Sequence, residues 1–302
     1  MNKGTFSALG AYLSWGLLPI YWKVLHNISP AQIISHRVIW SFLFVALIIT
    51  FRKEWKTLRI TISDHRTILI YLAAAILLTF NWLVYVWGVN SDHVVETSLG
   101  YFINPLVSVF LGVIFLRERL RPGQWIPVSI AAVGVIYLAI VYGRLPWIAL
   151  ALATSFSFYG LVKKTAPLGS LYGLTLETGL AFLPCALFLI VAELTGQGAF
   201  GHSTFIQNVM MVGTGIITAI PLLMFASAAR QIRLVTLGIL QYIAPTCQFL
   251  IGVAIYREPF NHHQLIGFSF VWLALLLFWI EGLWVYSRST RQAIDMSKPT
   301  ID

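Results

Sequence analysis

The sequence predicts an all-α polytopic membrane protein, with ten transmembrane helices in two inverted five-helix repeats and both termini cytoplasmic. Three observations carry this expectation. The composition is too apolar for water. The apolar residues fall into ten runs of membrane-spanning length. Two stretches 140 residues apart, Ile103–Leu120 and Ile243–Phe260, repeat one another without a gap.

Of the 302 residues, 58% are hydrophobic and 10% charged, and the mean hydropathy is +0.81. Soluble domains carry about 25% charged residues. A chain of this length cannot hide so much apolar surface in one core, so lipid must be the solvent. The 11 Trp and 12 Tyr suit the aromatic belts of a bilayer.

A span needs about 20 apolar residues. The first, 5–24, follows Lys3 and includes Lys23 at its far end. The second, 31–51, is followed by Arg52, Lys53, Lys56, Arg59 and Arg66. The third, 67–90, is followed by no basic residue. The fourth, 94–116, precedes Arg117, Arg119 and Arg121, and the fifth, 123–142, precedes Arg144. The sixth, 146–162, precedes Lys163 and Lys164. The seventh, 171–192, again has no basic residue after it. The eighth, 205–229, precedes Arg230 and Arg233. The ninth, 234–255, precedes Arg257, and the tenth, 262–286, precedes Arg288, Arg291 and Lys298. With the N-terminus inside, 16 of the 20 Lys and Arg lie inside and three, Lys23, Arg144 and Arg257, lie outside. Arg37 lies within a span. This asymmetry sets the orientation. It also explains the net charge of +9 without nucleic acid.

The repeat pairs Ile103 with Ile243, Pro105 with Pro245, Gly112 with Gly252, Val113 with Val253, Arg117 with Arg257 and Glu118 with Glu258. The same offset pairs Lys23 with Lys163, Leu83 with Leu223, Val95 with Val235, Gln124 with Gln264 and Ser129 with Ser269. Five spans per half is odd, so the halves must be inverted. The Arg-Glu pair then falls inside in one half and outside in the other, where it is expected to cap helix ends. Residues 1–142 form the first repeat, 143–286 the second and 287–302 a polar cytoplasmic tail.

The stretches SHRVIWS (Ser35–Ser41), Asn81-Trp82, SLGYFINPL (Ser98–Leu106), FYGLVKK (Phe158–Lys164) and LGILQYIAPT (Leu237–Thr246) resemble the RarD proteins, in the EamA branch of the drug/metabolite transporter superfamily. The resemblance implies a bacterial inner-membrane carrier that moves a small solute, in the outward direction. An amino-acid-like or amphipathic metabolite is the first expectation for that solute. Efflux of amphenicol-like drugs is the alternative.

Ionisable residues at membrane depth are expensive and are functional candidates by default. Arg37 shares a helical face with Trp40 and Ser41, beside His36, and a guanidinium there can clamp a carboxylate bidentately. Holding helix ends together is its structural alternative. Glu177 is its repeat partner. Each lies about six residues from an opposite membrane edge, which leaves about 12 Å between them in a ~30 Å core. That is more than an amino acid bridges. The two then act in different access states, or Glu177 carries a coupling proton; an ion pair with Lys163 or Lys164 is the alternative.

Pro105 and Pro245 are expected to kink spans 4 and 9, with Tyr101, Asn104, Gln241 and Tyr242 near the freed carbonyls. Pro221, opposite Asn81 in the other half, is a candidate gate. Trp15, Trp82, Tyr85 and Tyr159 are candidate aromatic walls. Glu96 and Glu281 read as interfacial. His262-His263 point about 100° apart on a helix and have no third ligand in sequence, so no metal is expected. Cys185 and Cys247 lie in apolar runs and read as packing residues. No phosphate loop, nucleotide motif or catalytic Ser/His/Asp pattern occurs, so no enzyme activity and no cofactor are expected. The expected partners are a small-molecule solute, membrane lipid and a coupling proton. A membrane enzyme acting on lipid-linked substrates, or a receptor subunit, needs clustered polar loops or a soluble domain; the loops here are short and mostly basic.

Overall fold

Helix boundaries follow local signals. In the computed structural model, which describes residues 3–62, 64–91, 93–143, 145–257 and 262–296, α1 spans Lys3–Val24 and α2 Pro30–Arg52. Pro30 opens α2, where its missing N–H costs nothing. Lys53 closes it in the left-handed conformation (φ 57°), donating its N–H to Ile49 and Thr50. A short α3, Trp55–Thr61, was not expected from the sequence. Helix α4, His65–Asn90, begins at Asp64, whose carboxylate accepts from the N–H groups of Arg66 and Thr67 at 3.2 Å each.

Helix α5 spans Val94–Ile114, α6 Pro122–Tyr142, α7 Trp147–Thr165, α8 Ser170–Leu194 and α9 Phe205–Gln231. Thr204 and Gln207 form a reciprocal capping box at the start of α9. The ninth expected span is two helices, α10 Leu234–Leu240 and α11 Ile243–Ala254. Pro245 explains the break. It cannot donate to the Gln241 carbonyl, and its ring crowds that carbonyl. The chain tightens there instead, with Tyr242 N–H bonded to Ile239 and Ala244 N–H to Gln241. By contrast α5 runs through Pro105 and α9 through Pro221. The last helix, α12, spans His262–Met296, ten residues beyond the expected end of the tenth span.

No strand occurs among the described residues. Eight helical segments there are long and apolar enough to cross a membrane, with α10 and α11 counted as one. The expected ten crossings therefore rest on α1 and α7, of 22 and 19 residues. Both pack among other helices. Helix α1 contacts α9, α10 and α11, and α7 contacts α4, α5, α9 and α10. Apolar side chains are exposed toward lipid on several helices, among them Leu17 of α1 at 55% and Leu183 of α8 at 73%.

Several helix contacts recur under the sequence offset. The offset of 140 converts α1 to α7, α2 to α8, α4 to α9, α5 to α10–α11 and α6 to α12. It turns the α1–α9 contact into α7–α4, α2–α9 into α8–α4, and α1–α11 into α7–α5, all of which occur. At the centre the Tyr242 hydroxyl donates to the carbonyl of Phe102, its own repeat partner, at 3.1 Å. The two repeated arginines, Arg117 and Arg257, share a left-handed backbone, φ 54° and 53°.

Glu118 caps across the halves. Its two oxygens accept from the N–H groups of Leu234 (2.7 Å) and Val235 (2.9 Å), the first turn of α10, with Lys164 Nζ 3.5 Å away. Its counterpart Glu258 lies outside the described residues. Glu96, expected at the interface, is buried and accepts from Ile148 N–H at 2.7 Å at the start of α7.

By compactness the chain forms two units, Met1–Glu118 with Pro146–Pro259, and Arg119–Leu145 with Phe260–Asp302. In the smaller unit α6 packs on α12. A Cβ on Gly134 would sit 2.7 Å from that of Phe270. Arg121 pairs with Glu281 at 2.7 Å, and Tyr137 Oη lies 2.7 Å from His263 Nδ1.

In the larger unit a Cβ on Gly215 of α9 would lie 2.4–2.5 Å from the backbone and Cβ of Trp40 in α2. Gly215→Val is therefore expected to cost about 1–3 kcal/mol by overpacking. Gly169→Ala, with nothing within 4 Å of the added Cβ, is expected to cost about 1 kcal/mol or less, from the poorer N-cap of α8 alone. Thermal unfolding in detergent micelles compares the two.

Candidate functional site

Helical periodicity builds one cavity in the larger unit, of about 160 Å³. Helix α1 contributes Trp15, Leu18, Pro19 and Trp22, and α4 contributes Leu78, Asn81, Trp82 and Tyr85. Both sets follow i, i+3, i+4, i+7, the spacing of a single helical face. Tyr12, Arg37, Gly100, Tyr101, Asn104, Leu152, Phe156, Leu222, Gln241, Ala244, Pro245 and Gln248 complete the lining. Four repeat-related pairs share it: Tyr12 with Leu152, Trp82 with Leu222, Tyr101 with Gln241, and Asn104 with Ala244. The cavity thus lies where the two halves of the sequence meet.

Arg37 is the charged residue of this lining. Its guanidinium carbon lies 4.2 Å from the Trp82 ring centroid and 5.1 Å from that of Trp22. Its Nε donates to Thr218 Oγ1 at 3.0 Å. No ion pair among the described residues includes Arg37. An arginine stays charged under physiological conditions. Two indole faces and one hydroxyl hold it by cation–π and hydrogen-bond contacts, while its terminal nitrogens remain available for a planar anion.

The face shared by Arg37, Trp40 and Ser41 is the one packed on α9. Ser41 Oγ donates to the Gly215 carbonyl at 3.1 Å. Trp40 lies against Gly215 and Phe200 and donates to His36 Nδ1 at 3.3 Å. Of the three, Arg37 alone reaches the cavity. His36 is buried beside Phe200, its Nε2 without a partner among the described residues, and lines no part of the cavity.

The polar groups differ in availability. The Asn81 amide donates to the Leu152 carbonyl and Ser155 Oγ, both at 2.9 Å. Asn104 Oδ1 accepts from Ser157 Oγ at 2.8 Å. Gln248 donates to the Trp15 carbonyl at 3.1 Å. The Tyr85 and Tyr101 rings meet at 5.9 Å.

Further aromatic rings surround Trp15. Trp15 lies 5.7 Å from Tyr12 and from Phe156, and 5.6 Å from Phe225; Phe225 stacks on Tyr159 at 5.9 Å. Tyr159 donates to Glu177 Oε2 at 3.1 Å, and Lys163 Nζ lies 2.6 Å from Glu177 Oε1. Lys163 and Glu177 are 3% and 2% exposed. The ion pair weighed as the alternative for Glu177 is therefore formed. Tyr159 and Glu177 belong to this buried cluster and do not line the cavity. Tyr242, bonded to Phe102, and the prolines Pro105 and Pro221 also lie outside the lining, whereas Pro245 is part of it.

Sequence reasoning did not single out Tyr12, Trp22, Thr218 or Gln248. For Trp22 the signal was present, because it completes the stripe begun by Trp15. For Thr218 and Gln248 it was not, since each meets the site through packing between helices distant in sequence.

The EamA-like transporter family matches residues 2–140. Protein RarD of Escherichia coli K12 is 38% identical over 290 residues, covering 96% of this chain and 98% of that protein. An uncharacterized transporter of Bacillus subtilis, YojE, is 45% identical over 283 residues, covering 92% and 93%. A solved crystal structure superposes with a TM-score of 0.68 over 91% of this chain and 97% of its own, at 16% identity, a likeness of fold.

Removing one partner of a buried ion pair costs about 3–5 kcal/mol, whereas replacing both with apolar residues costs far less. Glu177→Gln alone is expected to lower the melting temperature sharply. Lys163→Met with Glu177→Met is expected to recover most of that loss. Equal melting temperatures for the two variants would contradict the pairing.

Proposed function

This chain belongs to the RarD group of the EamA-like transporter family and is a multi-pass transporter of the bacterial inner membrane; on that premise we propose that it is a secondary active exporter of a small amphipathic metabolite carrying a carboxylate. The observation that carries the proposal is Arg37, held between Trp22 and Trp82 with no carboxylate among the described residues paired to it.

Arg37 donates to the solute's carboxylate. Asn104 and Gln241, one from each half, hydrogen-bond its polar groups. Trp15, Trp82, Tyr85 and Tyr101 form apolar walls for the remainder. Solute sites in carriers built from inverted repeats lie near mid-membrane at the repeat interface, often beside a broken helix. The α10–α11 break at Gln241–Tyr242, with Gln241 and Pro245 in the cavity lining, supports that placement. Access alternates as one repeat rocks against the other. The aromatic layer and the Lys163–Glu177 pair close the cytoplasmic side, and Glu177 is the candidate carrier for a coupling proton.

Size also favours a metabolite. Pockets for drug-sized ligands measure about 300–1,000 Å³, well above the ~160 Å³ here. An amphenicol-like drug, the alternative substrate, is neutral and gives the guanidinium no counter-charge.

Proteoliposome counterflow with labelled amino acids, their amides and chloramphenicol tests this. A charge-assisted hydrogen bond contributes about 1.5–3 kcal/mol. Arg37→Ala is therefore expected to reduce uptake of the carboxylate-bearing solute by about 10-fold to 150-fold. Unchanged flux in that variant overturns the assignment.

A further inference from the structure

The α1–α2 and α7–α8 hairpins are one element written twice, and they differ at one pair of charges. The offset of 140 places Lys23 on Lys163 and Arg37 on Glu177. Both lysines lie within the last three residues of their first helix. Arg37 and Glu177 are each the eighth residue of the second.

In the α7–α8 hairpin the pair is closed, with Lys163 Nζ 2.6 Å from Glu177 Oε1. In the α1–α2 hairpin it is open. Lys23 is exposed, its Nζ 4.8 Å from the Tyr256 ring centroid, and Arg37 faces the cavity. No ion pair among the described residues includes either of them.

A carrier of inverted repeats reverses its access when each repeat takes up the other's arrangement. The first hairpin then acquires the closed geometry of the second. That movement brings Lys23 to Arg37, and two like charges repel. An anion between them removes the repulsion and completes the arrangement that Glu177 completes in the other half.

We propose that Lys23 and Arg37 form an outer latch, a two-cation site that closes most readily around an anionic group, the carboxylate of the solute. This rests on the carrier reading above and adds a rule to it. The loaded carrier shuts its outer side more readily than the empty one, so exchange of anionic solutes runs faster than net export.

The test uses no solute. Leu18, in the cavity lining, is replaced by Cys in a full-length background carrying Cys185→Ala and Cys247→Ala. A membrane-impermeant maleimide is applied to spheroplasts, and the labelling rate is measured. Lys23→Glu supplies the latch with its own carboxylate and is expected to slow labelling about fivefold or more by shifting the population to the outer-closed state. Adding Arg37→Gln to Lys23→Glu is expected to restore the parental rate, since the pair is lost. Size-exclusion profiles confirm that each variant is folded. A parental rate for Lys23→Glu overturns the latch, as does an equal slowing by Lys23→Gln. Either result leaves the carrier reading intact if Arg37→Ala abolishes flux, whereas unchanged flux in Arg37→Ala sinks that reading itself.

Discussion

The guanidinium of Arg37 lies against two indole rings rather than against a carboxylate. A charge inside a bilayer has to be matched by counter-charge, dipoles or π-faces, because water is scarce there. The second half of the protein solves the problem in the ordinary way, with Glu177 paired to Lys163 and hydrogen-bonded by Tyr159. The first half places a cation at the equivalent position and a second cation, Lys23, at the equivalent of Lys163. Among the described residues no carboxylate pairs with that hairpin as Glu177 pairs with Lys163 in its twin. The cavity, its aromatic walls and its amides are arranged around the consequence.

Holding Arg37 there requires a stable frame, and the frame is tied across the halves. Glu118 from the first half binds the N-terminus of α10 in the second. Glu96 binds the N-terminus of α7. Tyr12 donates to the Leu237 carbonyl, and Tyr242 to the Phe102 carbonyl. The two carboxylates satisfy first-turn N–H groups that α-helical pairing leaves over, and all of these bonds couple an element of one half to an element of the other. The break between α10 and α11 can therefore persist at depth, because the flanking helices are anchored by partners outside themselves.

Much of this was legible in the residue order. Hydropathy and basic loops located the long helices to within a few residues, the end of α12 excepted, because lipid imposes a strict length and composition. The repeat gave Arg37 and Glu177 as counterparts, and the Pro-centred motifs pointed to Tyr101, Asn104 and Gln241. Other features were hidden for physical reasons. Helix α3 is short and amphipathic enough to pass as a loop. The split at Gln241–Tyr242 depends on how the chain relieves Pro245, while Pro105, its repeat partner, is absorbed within α5. His36 sits beside Arg37 in sequence and Trp40 one turn further on, yet both pack against Phe200, a contact made by a residue distant in sequence. Thr218 and Gln248 belong to the site's surroundings through tertiary contacts that no local pattern announces.

The central claim is that Arg37 receives the carboxylate of the solute. Thermal stabilisation of the purified protein by matched pairs, each a free carboxylate and its methyl ester, tests this most directly, since a ligand raises the melting temperature in proportion to its binding. The account predicts that carboxylates shift the melting temperature of the wild type, that their esters do not, and that Arg37→Ala abolishes the difference. Equal shifts from acid and ester, or an undiminished difference in Arg37→Ala, would contradict it.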